Sequence, residues 1–292
     1  MQFGYVLPNF GGKISGQQLV EISRTAEEVG FDSVWATDHI VMPTQLREPY
    51  GQLLEPLITL ASISSATDKL RVGTSCIVLA QRNPILVAKQ AAALDVFSKG
   101  RVILGVGAGW AEQEFRFMNA DFERRGSVMD ESIRLMKSLW RDDVVNFAGE
   151  FFHVEDALFM PKPEKRDIPV WIGGNGRTAI RRTIRLGDGW HPVGLGVDGF
   201  RRGAEEIIRS KKGATLSMRM TTDVRKKRQP YPGPNNEKRI AVSGSAVEIR
   251  KEIDAYVEAG LEYYCAAMNH PSAADIQADL KLFSSDVMRS YF

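Results

Sequence analysis

The sequence predicts an α/β fold, a (β/α)₈ TIM barrel in which residues 1–292 form a single domain. Short apolar runs alternate with helical patterns along the chain, and eight such strand–helix units can be counted. The fourth run, Val102–Val106, is apolar at every position, as expected for a parallel strand that is buried on both faces. A doubly wound open sheet shows the same alternation. The count of eight and the lack of a GxGxxG motif after the first strand favour the barrel.

The predicted strands are short apolar runs that end at turn residues or at the start of a helix. They are Phe3–Leu7, Ser33–Thr37, Arg71–Leu79, Val102–Val106, Pro169–Ile172, Gly189–Val193, Thr215–Thr222 and Tyr263–Ala267. Capping boxes at Ser15 and Ser245, each with Gln or Glu three residues later, mark the starts of two helices. Asn83 followed by Pro84 marks a third start, because proline suits the first helical position.

Two segments interrupt the barrel pattern, and two further stretches are predicted to be loops. Residues 111–126 form an insertion after strand four, and Asn146–Pro163 is predicted to be a β-hairpin with a loop before strand five. Ile40–Leu54 is predicted to be a long loop that covers the substrate together with residues 111–126. The basic, proline-containing stretch Arg225–Arg239 is predicted to be a mobile loop after strand seven. Its cations either form a solvated face or meet an anionic cofactor tail or substrate.

The composition is that of a globular protein, with 43% hydrophobic residues, 25% charged residues and a formal net charge of +2. This small net charge gives the protein no overall electrostatic attraction to nucleic acid or to a membrane surface. Cys76 and Cys265 lie in apolar runs, so we expect two buried thiols in a reducing compartment. Neither a signal peptide nor a run of about 18 apolar residues is evident, and a cytoplasmic location is therefore expected.

The residues directly after each strand are the candidates for the active site, because a TIM barrel carries its active site at the C-terminal strand ends. Strand two ends in Asp38-His39. Histidine exchanges protons near neutral pH and donates hydrogen bonds to carbonyl groups, so His39 is a candidate for proton transfer. The alternative is a structural histidine that is bonded to a neighbouring loop.

The end of strand four carries glycine at every second position, in the run Gly105-Val106-Gly107-Ala108-Gly109-Trp110. The missing side chains would let a flat ring approach the backbone of this run. The alternative is a tight turn against a packed tryptophan. As a nucleotide fingerprint the run is weak, because no helix is predicted directly after it.

Strand five ends in a second glycine-rich run, Gly173-Gly174-Asn175-Gly176-Arg177, at which a helix begins. Backbone N–H groups at a helix N-terminus attract anions, and Arg177 adds a cation. This run is therefore a better candidate for phosphate binding than the glycines of strand four, although an ordinary turn is the alternative.

The remaining histidines are weaker candidates. His191 on strand six faces either the mouth or the core, His153 lies in the hairpin, and His270 follows Asn269 after strand eight. The four histidines lack metal-ligand spacing and no cysteine joins them, so no metal site is expected. Neither a GxSxG motif, a Walker loop nor paired carboxylates are present.

Several motifs occur together in a specific order. They are Asp38-His39, Gly100–Trp110, Glu114-Phe115, Arg124–Gly126, Gly149–Phe152, Pro161–Pro163, Ile172–Gly176 and Gly187–Trp190. In this order they resemble the luciferase-like monooxygenase superfamily, especially its coenzyme F420-dependent branch, over roughly residues 1–270. The resemblance implies a barrel with insertions, in which a flavin or deazaflavin ring lies across the strand ends.

By this resemblance Cys76, Ile77 and Val78 would back the ring, through a bulge or a non-proline cis peptide at the end of strand three. The cofactor phosphate would lie on Gly173–Arg177, in agreement with the anion site. Candidate cofactor-binding residues are therefore Cys76, Ile77, Val78, Gly107, Ala108, Gly109, Gly173, Gly174, Asn175, Gly176, Arg177 and His191.

Candidate catalytic residues are Asp38, His39 and Trp110. His39 matches the histidine that works as a base beside the ring in the deazaflavin-dependent sugar-phosphate dehydrogenases of the superfamily. Those enzymes carry a glutamate where this chain has Trp110, which argues against the same sugar-phosphate reaction and leaves the proton donor unassigned.

The leading functional hypothesis is hydride transfer between coenzyme F420 and a small organic substrate. The alternatives are a two-component monooxygenase dependent on flavin mononucleotide (FMN), served by a partner reductase, and a catalytically silent flavin-binding protein. An aldolase or isomerase barrel is disfavoured, because no predicted strand ends in a lysine. The resemblance also implies a homodimer, and neither nucleic acid nor a membrane is an expected partner.

Overall fold

The computed structural model describes residues 1–234, 236–268 and 270–292. Its strands, in chain order, are β1 Gln2–Val6, β2 Ser33–Ala36, β3 Arg71–Thr74, β4 Ile77–Val78, β5 Val102–Gly107, β6 Val145–Ala148, β7 His153–Ala157, β8 Val170–Gly173, β9 Gly189–His191, β10 Thr215–Asp223, β11 Tyr231–Pro232, β12 Lys238–Arg239, β13 Ala241–Ser243 and β14 Tyr263–Ala267. The helices are α1 Gly16–Glu28, α2 Arg47–Tyr50, α3 Pro56–Ser64, α4 Pro84–Phe97, α5 Glu112–Phe117, α6 Arg125–Arg141, α7 Arg177–Leu186, α8 Val197–Ser210, α9 Ala246–Glu258 and α10 Ala273–Asp286.

The central sheet closes into a parallel barrel. Its strand order is β10–β14–β1–β2–β3–β5–β8–β9, and β9 pairs back with β10 through Gly189 and Thr215. The described strands thus form eight staves, the third of which is β3 continued by β4 along β5. This closure confirms the predicted (β/α)₈ barrel and excludes the doubly wound open sheet, whose edges would remain unpaired.

The third stave differs from its prediction as one strand over Arg71–Leu79. β3 ends at Thr74, the Ser75–Cys76 peptide bond is cis, and β4 is followed by a 3₁₀ turn at Leu79–Gln81. The apolar composition is continuous across this break, so composition alone could not reveal it. The cis peptide lies where the family resemblance placed a bulge or a cis peptide, and that expectation is confirmed.

Helix starts follow the capping chemistry predicted from the sequence. Ser15 and Ser245 each accept a hydrogen bond from the backbone N–H three residues later, and the side chain at that position bonds back to the serine N–H. Asn83 accepts from two backbone N–H groups at the start of α4, directly before Pro84. These caps fix where each helix leaves the mouth end of the barrel, and thereby place the loops that follow each stave.

Two of the segments between the staves contain paired strands of their own. Residues Val145–Ala148 and His153–Ala157 pair antiparallel, which confirms the predicted hairpin before strand five. The stretch 225–239, predicted to be a mobile loop, contains the antiparallel pair β11–β12 instead. Its basic side chains are held by acids: Arg225 pairs with Asp279, Lys227 with Glu248 and Arg228 with Asp223. These three cations are therefore neutralised within the protein rather than held free for an anionic cofactor.

The barrel interior is packed with aromatic side chains and is not a pore. Trp35 stacks on Trp171 at a centroid distance of 5.1 Å, and Tyr263 meets both rings edge-on. A second apolar layer fills the space between the staves and the surrounding helices. Functional side chains must therefore lie above the aromatic layer, at the C-terminal strand ends. No helix in the described residues is long and apolar enough to cross a membrane.

Candidate active site

A hydrogen-bonded pair of a histidine and a glutamate lies at the barrel mouth. His39 follows β2, and Glu114 lies on α5 in the insertion after the fourth stave. Nδ1 of His39 is 2.9 Å from Oε2 of Glu114, and Oε1 accepts a hydrogen bond of 2.6 Å from the backbone N–H of Ile40. Both side chains are buried. One oxygen of the Glu114 carboxylate thus binds the imidazole ring of His39, and the other binds the backbone of the next residue, Ile40.

The protonation state of Glu114 determines which nitrogen of His39 is available. Burial raises the pKa of the Glu114 carboxyl, but the hydrogen bonds from His39 and Ile40 outweigh burial, and the net pKa is lowered. An ionised carboxylate only accepts hydrogen bonds, so Nδ1 of His39 carries a proton, and the tautomer in which Nε2 holds the lone pair is the one that this contact selects. Among the described residues, none forms a hydrogen bond with Nε2. His39 is thus arranged as a base towards a molecule in the mouth.

Two aromatic rings flank this imidazole. The ring of Tyr50, from α2 in the predicted covering loop, lies 4.6 Å from the His39 ring. Trp110 meets His39 edge-on at 5.5 Å and Tyr50 at 6.0 Å. Trp110 offers no proton-transferring group of its own, since its indole N–H is only a donor. The structure places Trp110 at the mouth, and its ring contacts make it a wall beside His39.

Asp38 does not face the open mouth. Its carboxylate, which is inaccessible to solvent, binds Arg82 at 2.6 Å and accepts a hydrogen bond of 2.9 Å from the backbone N–H of Val78. Both oxygens are therefore engaged by a guanidinium and by the residue that follows the cis-peptide segment. Asp38 was predicted to be catalytic, but its contacts fit a positioning role instead. Its side chain ties the third stave to the end of the second.

The cis peptide places Cys76 against neighbouring strand ends. A Cβ added to Gly173 would lie 2.6 Å from Sγ of Cys76, and one added to Gly107 would lie 3.6 Å from its Cβ. Burial raises the pKa of the Cys76 thiol to about 12, so the thiol remains protonated at neutral pH and is not a nucleophile. Cys76 is partly accessible, and it therefore remains a suitable backing surface for a flat ring.

The alternating glycines of the fourth stave serve protein packing. A Cβ at Gly105 would collide with the carbonyl oxygen of Thr74. A Cβ at Gly109 would lie 2.6 Å from Val78 and 2.7 Å from Phe115, and its φ of +86° favours glycine. At these two positions the expected space for a ring is filled by protein atoms, since the neighbouring third stave and α5 approach too closely.

The start of α7 retains the features of an anion site. Gly176 caps the helix without a side-chain hydrogen bond, and a Cβ added there would meet no atom within 4 Å. The side chain of Arg177 is exposed, and its position at the helix start adds a cation to the N–H groups of the first turn. Asn175 is used differently from its prediction, because its amide pairs reciprocally with the backbone of Val193 at 2.8 Å. Its side chain thus clamps the loop rather than a ligand.

His191 is a core histidine, which corrects its predicted cofactor contact. Its side chain is fully buried and stacks on Trp35 at 4.9 Å. Nε2 lies 2.9 Å from the Ser75 hydroxyl, and Nδ1 lies 2.7 Å from the Ser217 hydroxyl. Burial, and secondarily the charge of Arg219, lowers the pKa of His191 to about 3, so the imidazole is neutral. Both nitrogens are satisfied within the barrel, and neither reaches a ligand.

Arg219 on β10 is a functional candidate that the sequence reasoning missed. Its Nη1 donates to Oγ1 of Thr37 at 3.1 Å and to the carbonyl oxygen of Ser75 at 2.7 Å. It is only partly buried, and its side chain points along the same face as Ser217, towards the barrel axis. A charged residue at an inward position of a predicted strand is the signal that could have identified it.

The model for the luciferase-like monooxygenase family matches residues 1–230. This chain belongs to the luciferase-like monooxygenase family. Among curated relatives, the F420-dependent glucose-6-phosphate dehydrogenase of Amycolatopsis mediterranei is 35% identical over 189 residues. That match covers 62% of this chain and 56% of the relative, so the chain spans little more than half the length of that protein.

Two solved structures share the fold of this luciferase-like barrel. An F420-dependent secondary alcohol dehydrogenase in complex with an F420-acetone adduct superposes with a TM-score of 0.81 at 22% identity, over 98% of each chain. The monooxygenase RslO1 from Streptomyces bottropensis gives a TM-score of 0.82 at 17% identity, over 100% of each chain. Identities this low establish the common barrel only.

The other histidines of this luciferase-like barrel lie outside the His39 site. His153 is exposed in the β6–β7 hairpin, and Nε2 of His270 lies 2.7 Å from Oδ2 of Asp279. Asn269, which was singled out beside His270, lies outside the described residues. Within the described ranges, no group of three or more His, Cys, Asp or Glu side chains is placed to hold a metal ion.

Proposed function

We propose that this protein transfers a hydride between coenzyme F420 and a small organic substrate. The observation that carries the proposal is the buried His39–Glu114 pair at the mouth, where a base faces the same end of the barrel as the Ser75–Cys76 cis peptide. The curated relatives that are named F420-dependent glucose-6-phosphate dehydrogenases support the choice of a deazaflavin over an ordinary flavin.

The residues present fit such a cofactor at two places. The open space at Gly176 and the cation of Arg177 suit a phosphate at the start of α7. In the segment Cys76–Val78 the Cys76 side chain is partly accessible while Ile77 and Val78 are buried, so a flat ring would rest on Cys76. Val78 is fixed there by the Asp38 carboxylate, so this surface is rigid before any ligand binds.

When bound, the deazaflavin would supply the two-electron hydride chemistry. The chain would supply proton transfer, since Nε2 of His39 can accept the proton of a substrate hydroxyl or return it to a carbonyl oxygen. The charge that forms on the imidazole would be stabilised by Glu114, which is ionised and buried. Tyr50 and Trp110 would exclude water from this nitrogen.

Cofactor titration of the purified protein tests the proposal. Fluorescence is followed while coenzyme F420 and, in a separate series, FMN are added. Tight binding of F420 alone is expected. Tight binding of FMN alone overturns the proposal in favour of a two-component monooxygenase that receives reduced flavin from a partner reductase. Binding of neither cofactor also overturns it and favours a catalytically silent protein.

We further propose that the working form is a homodimer in the cytoplasm, without a nucleic acid or membrane partner. Exposed apolar side chains on α3 and α4 support self-association: Ile58 is 69% exposed, Leu86 57% and Phe97 72%. The cysteines Cys76 and Cys265 are both unpaired, which suits a reducing compartment. Light scattering coupled to size-exclusion chromatography tests the dimer, and a monomer at micromolar concentration would contradict it.

A further inference from the structure

The guanidinium of Arg219 lies across the floor of the mouth. Its strand, β10, is the seventh stave, and its Nη1 reaches Thr37 at the end of the second stave and Ser75 after β3 in the third. The third and seventh staves are opposite each other in an eight-staved barrel. The side chain therefore spans the barrel and places its charge near the axis, between the cis-peptide segment and the strand that ends in His39.

No described carboxylate forms an ion pair with this cation. Acids on the surrounding elements are engaged elsewhere: Asp38 binds Arg82, Glu114 binds His39, and Glu237 binds Arg239. Below Arg219 lies the neutral imidazole of His191, which contributes no negative charge. Withdrawing part of a cation from water without a counter-charge costs free energy, so the site favours the arrival of an anion.

Side chains from two insertions surround the same charge. Tyr50 from the segment 40–54, together with Tyr231 and Arg239 from the segment 225–239, lies close enough to act on the charge of Arg219. Tyr231 is held by a hydrogen bond of 2.7 Å between its hydroxyl and Oγ1 of Thr221. Loops over the mouth of a barrel set substrate specificity. Arg219 therefore lies between these loops and the Ser75–Cys76 peptide, to whose carbonyl oxygen at Ser75 it donates a hydrogen bond.

We propose that Arg219 binds an oxyanionic group of the substrate, a carboxylate or a phosphate, and so selects small alcohols or carbonyl compounds that carry such a group. This inference rests on the proposed hydride transfer. In the oxidative direction the C–H electron pair leaves with the hydride to coenzyme F420, and the O–H proton passes to Nε2 of His39. The carbonyl bond forms between the same carbon and oxygen, and the anionic group is unchanged.

Anion binding tests the site without any turnover. Isothermal titration calorimetry with inorganic phosphate and, separately, with acetate is carried out on the wild type and on Arg219→Gln. We expect the wild type to bind at least one of the two anions, and Arg219→Gln to bind it roughly 10- to 100-fold more weakly, the range of one charged hydrogen bond. Preference for phosphate or for acetate distinguishes the two substrate classes. Equal affinity in both proteins, or no binding by the wild type, overturns the inference.

Two further variants separate charge from structure. Arg219→Lys retains the positive charge but loses the paired N–H donors of the planar guanidinium. We therefore expect an anion affinity between those of the wild type and Arg219→Gln. Arg209→Gln removes an exposed cation of α8 and is expected to bind anions as the wild type does. Thermal melts show whether each variant folds. If Arg219→Lys is folded yet binds no better than Arg219→Gln, the electrostatic account is wrong.

A paired-substrate assay then tests selection during turnover. The F420-loaded wild type is offered matched neutral and anionic compounds, such as 2-propanol with lactate and glucose with glucose 6-phosphate. We expect kcat/KM to favour the charged member of a pair by roughly 10-fold or more, and the preference to disappear in Arg219→Gln. Turnover without this preference overturns the role of Arg219 while the proposed hydride transfer stands. Failure to bind F420 overturns the proposed function instead, and calorimetry still reports on the anion site.

Discussion

Nδ1 of His39 and Oε2 of Glu114 lie 2.9 Å apart although 74 residues separate them in the chain. The histidine follows the second stave, and the glutamate comes from α5 in the insertion after the fourth. The insertion thus completes the site, because it brings the buried carboxylate that fixes the tautomer of the base. A barrel of the same staves without α5 would leave His39 free to present either nitrogen.

The first prediction is that Glu114→Gln releases this control. We expect a mixture of Nδ1-H and Nε2-H tautomers in the variant, and the ¹⁵N chemical shifts of the His39 ring will report it. Hydride transfer should slow by roughly 100- to 10,000-fold, as when an orienting carboxylate is removed from a catalytic histidine. Glu112→Gln, at an exposed position of the same helix, is the control and should change neither quantity. A single unaltered tautomer in Glu114→Gln would contradict the assignment.

The second prediction concerns the buried pair of Asp38 and Arg82. Asp38→Asn should destabilise the fold by about 3 kcal/mol, since it leaves a guanidinium without its main counter-charge. Arg82→Met should cost a similar amount. The double variant should cost less than the sum, with a coupling of about 1–3 kcal/mol in urea unfolding. Strict additivity would mean that the two side chains do not depend on each other.

The third prediction is a loss of stability in acid that originates at His191. Its folded-state pKa of about 3 lies below the ordinary value of 6.5, so below that value the unfolded chain takes up a proton that the folded chain refuses. Stability is therefore complete above pH 6.5 and falls as the pH decreases towards 3. Between pH 7 and pH 5 the loss from this one group is about 2 kcal/mol. Urea unfolding at both pH values should show a smaller difference in His191→Gln than in the wild type.

His153→Gln is the matched control for this measurement. His153 is exposed in the hairpin, so its removal should leave the difference between pH 7 and pH 5 as in the wild type. His191→Gln will also be less stable at pH 7, because it loses the stacking on Trp35. An unchanged pH difference in His191→Gln would show that the acid sensitivity has another source.

The barrel was predictable because its staves are buried on both faces and are therefore marked by composition. The runs around Val102–Val106 and Tyr263–Ala267 show this, and the second was predicted with its observed bounds. The bounds of the third stave were not predicted, since the break at Ser75–Cys76 lies within an uninterrupted apolar run. The conformation of one peptide bond leaves no signal in hydrophobicity.

The site was predictable only where a residue directly follows a strand. His39 met that condition, and the structure places it at the mouth. Glu114 does not directly follow a strand. Its contact with His39 depends on how α5 folds back, which no local pattern encodes. His191 lies within its strand and faces inward, which the pattern could not show, because in a short strand a shift of one residue exchanges the core and the mouth. Arg219 lies inside its strand, where only the inward register reveals that it reaches the mouth.

The fourth prediction is that Gly109→Ala destabilises the protein by about 2–4 kcal/mol. The new methyl group would overlap Val78 and Phe115, and alanine also disfavours the positive φ at this position. Gly213→Ala is the control, since Gly213 has a φ of +77° and open space around it. That variant should cost only about 1 kcal/mol, the backbone penalty alone. Similar losses in the two variants would mean that packing at Gly109 is unimportant.

The last prediction assigns the cofactor phosphate to the start of α7. Arg177→Gln should weaken binding of coenzyme F420 by roughly 10-fold, the effect of one exposed charge aided by a helix N-terminus. The same variant should bind the deazaflavin fragment that lacks the phosphate with unaltered affinity. Fluorescence titration gives all four dissociation constants, and Arg209→Gln serves as the control for net charge. An equal loss for both ligands would place Arg177 near the ring, and no loss for either would make the run from Gly173 to Arg177 an ordinary turn.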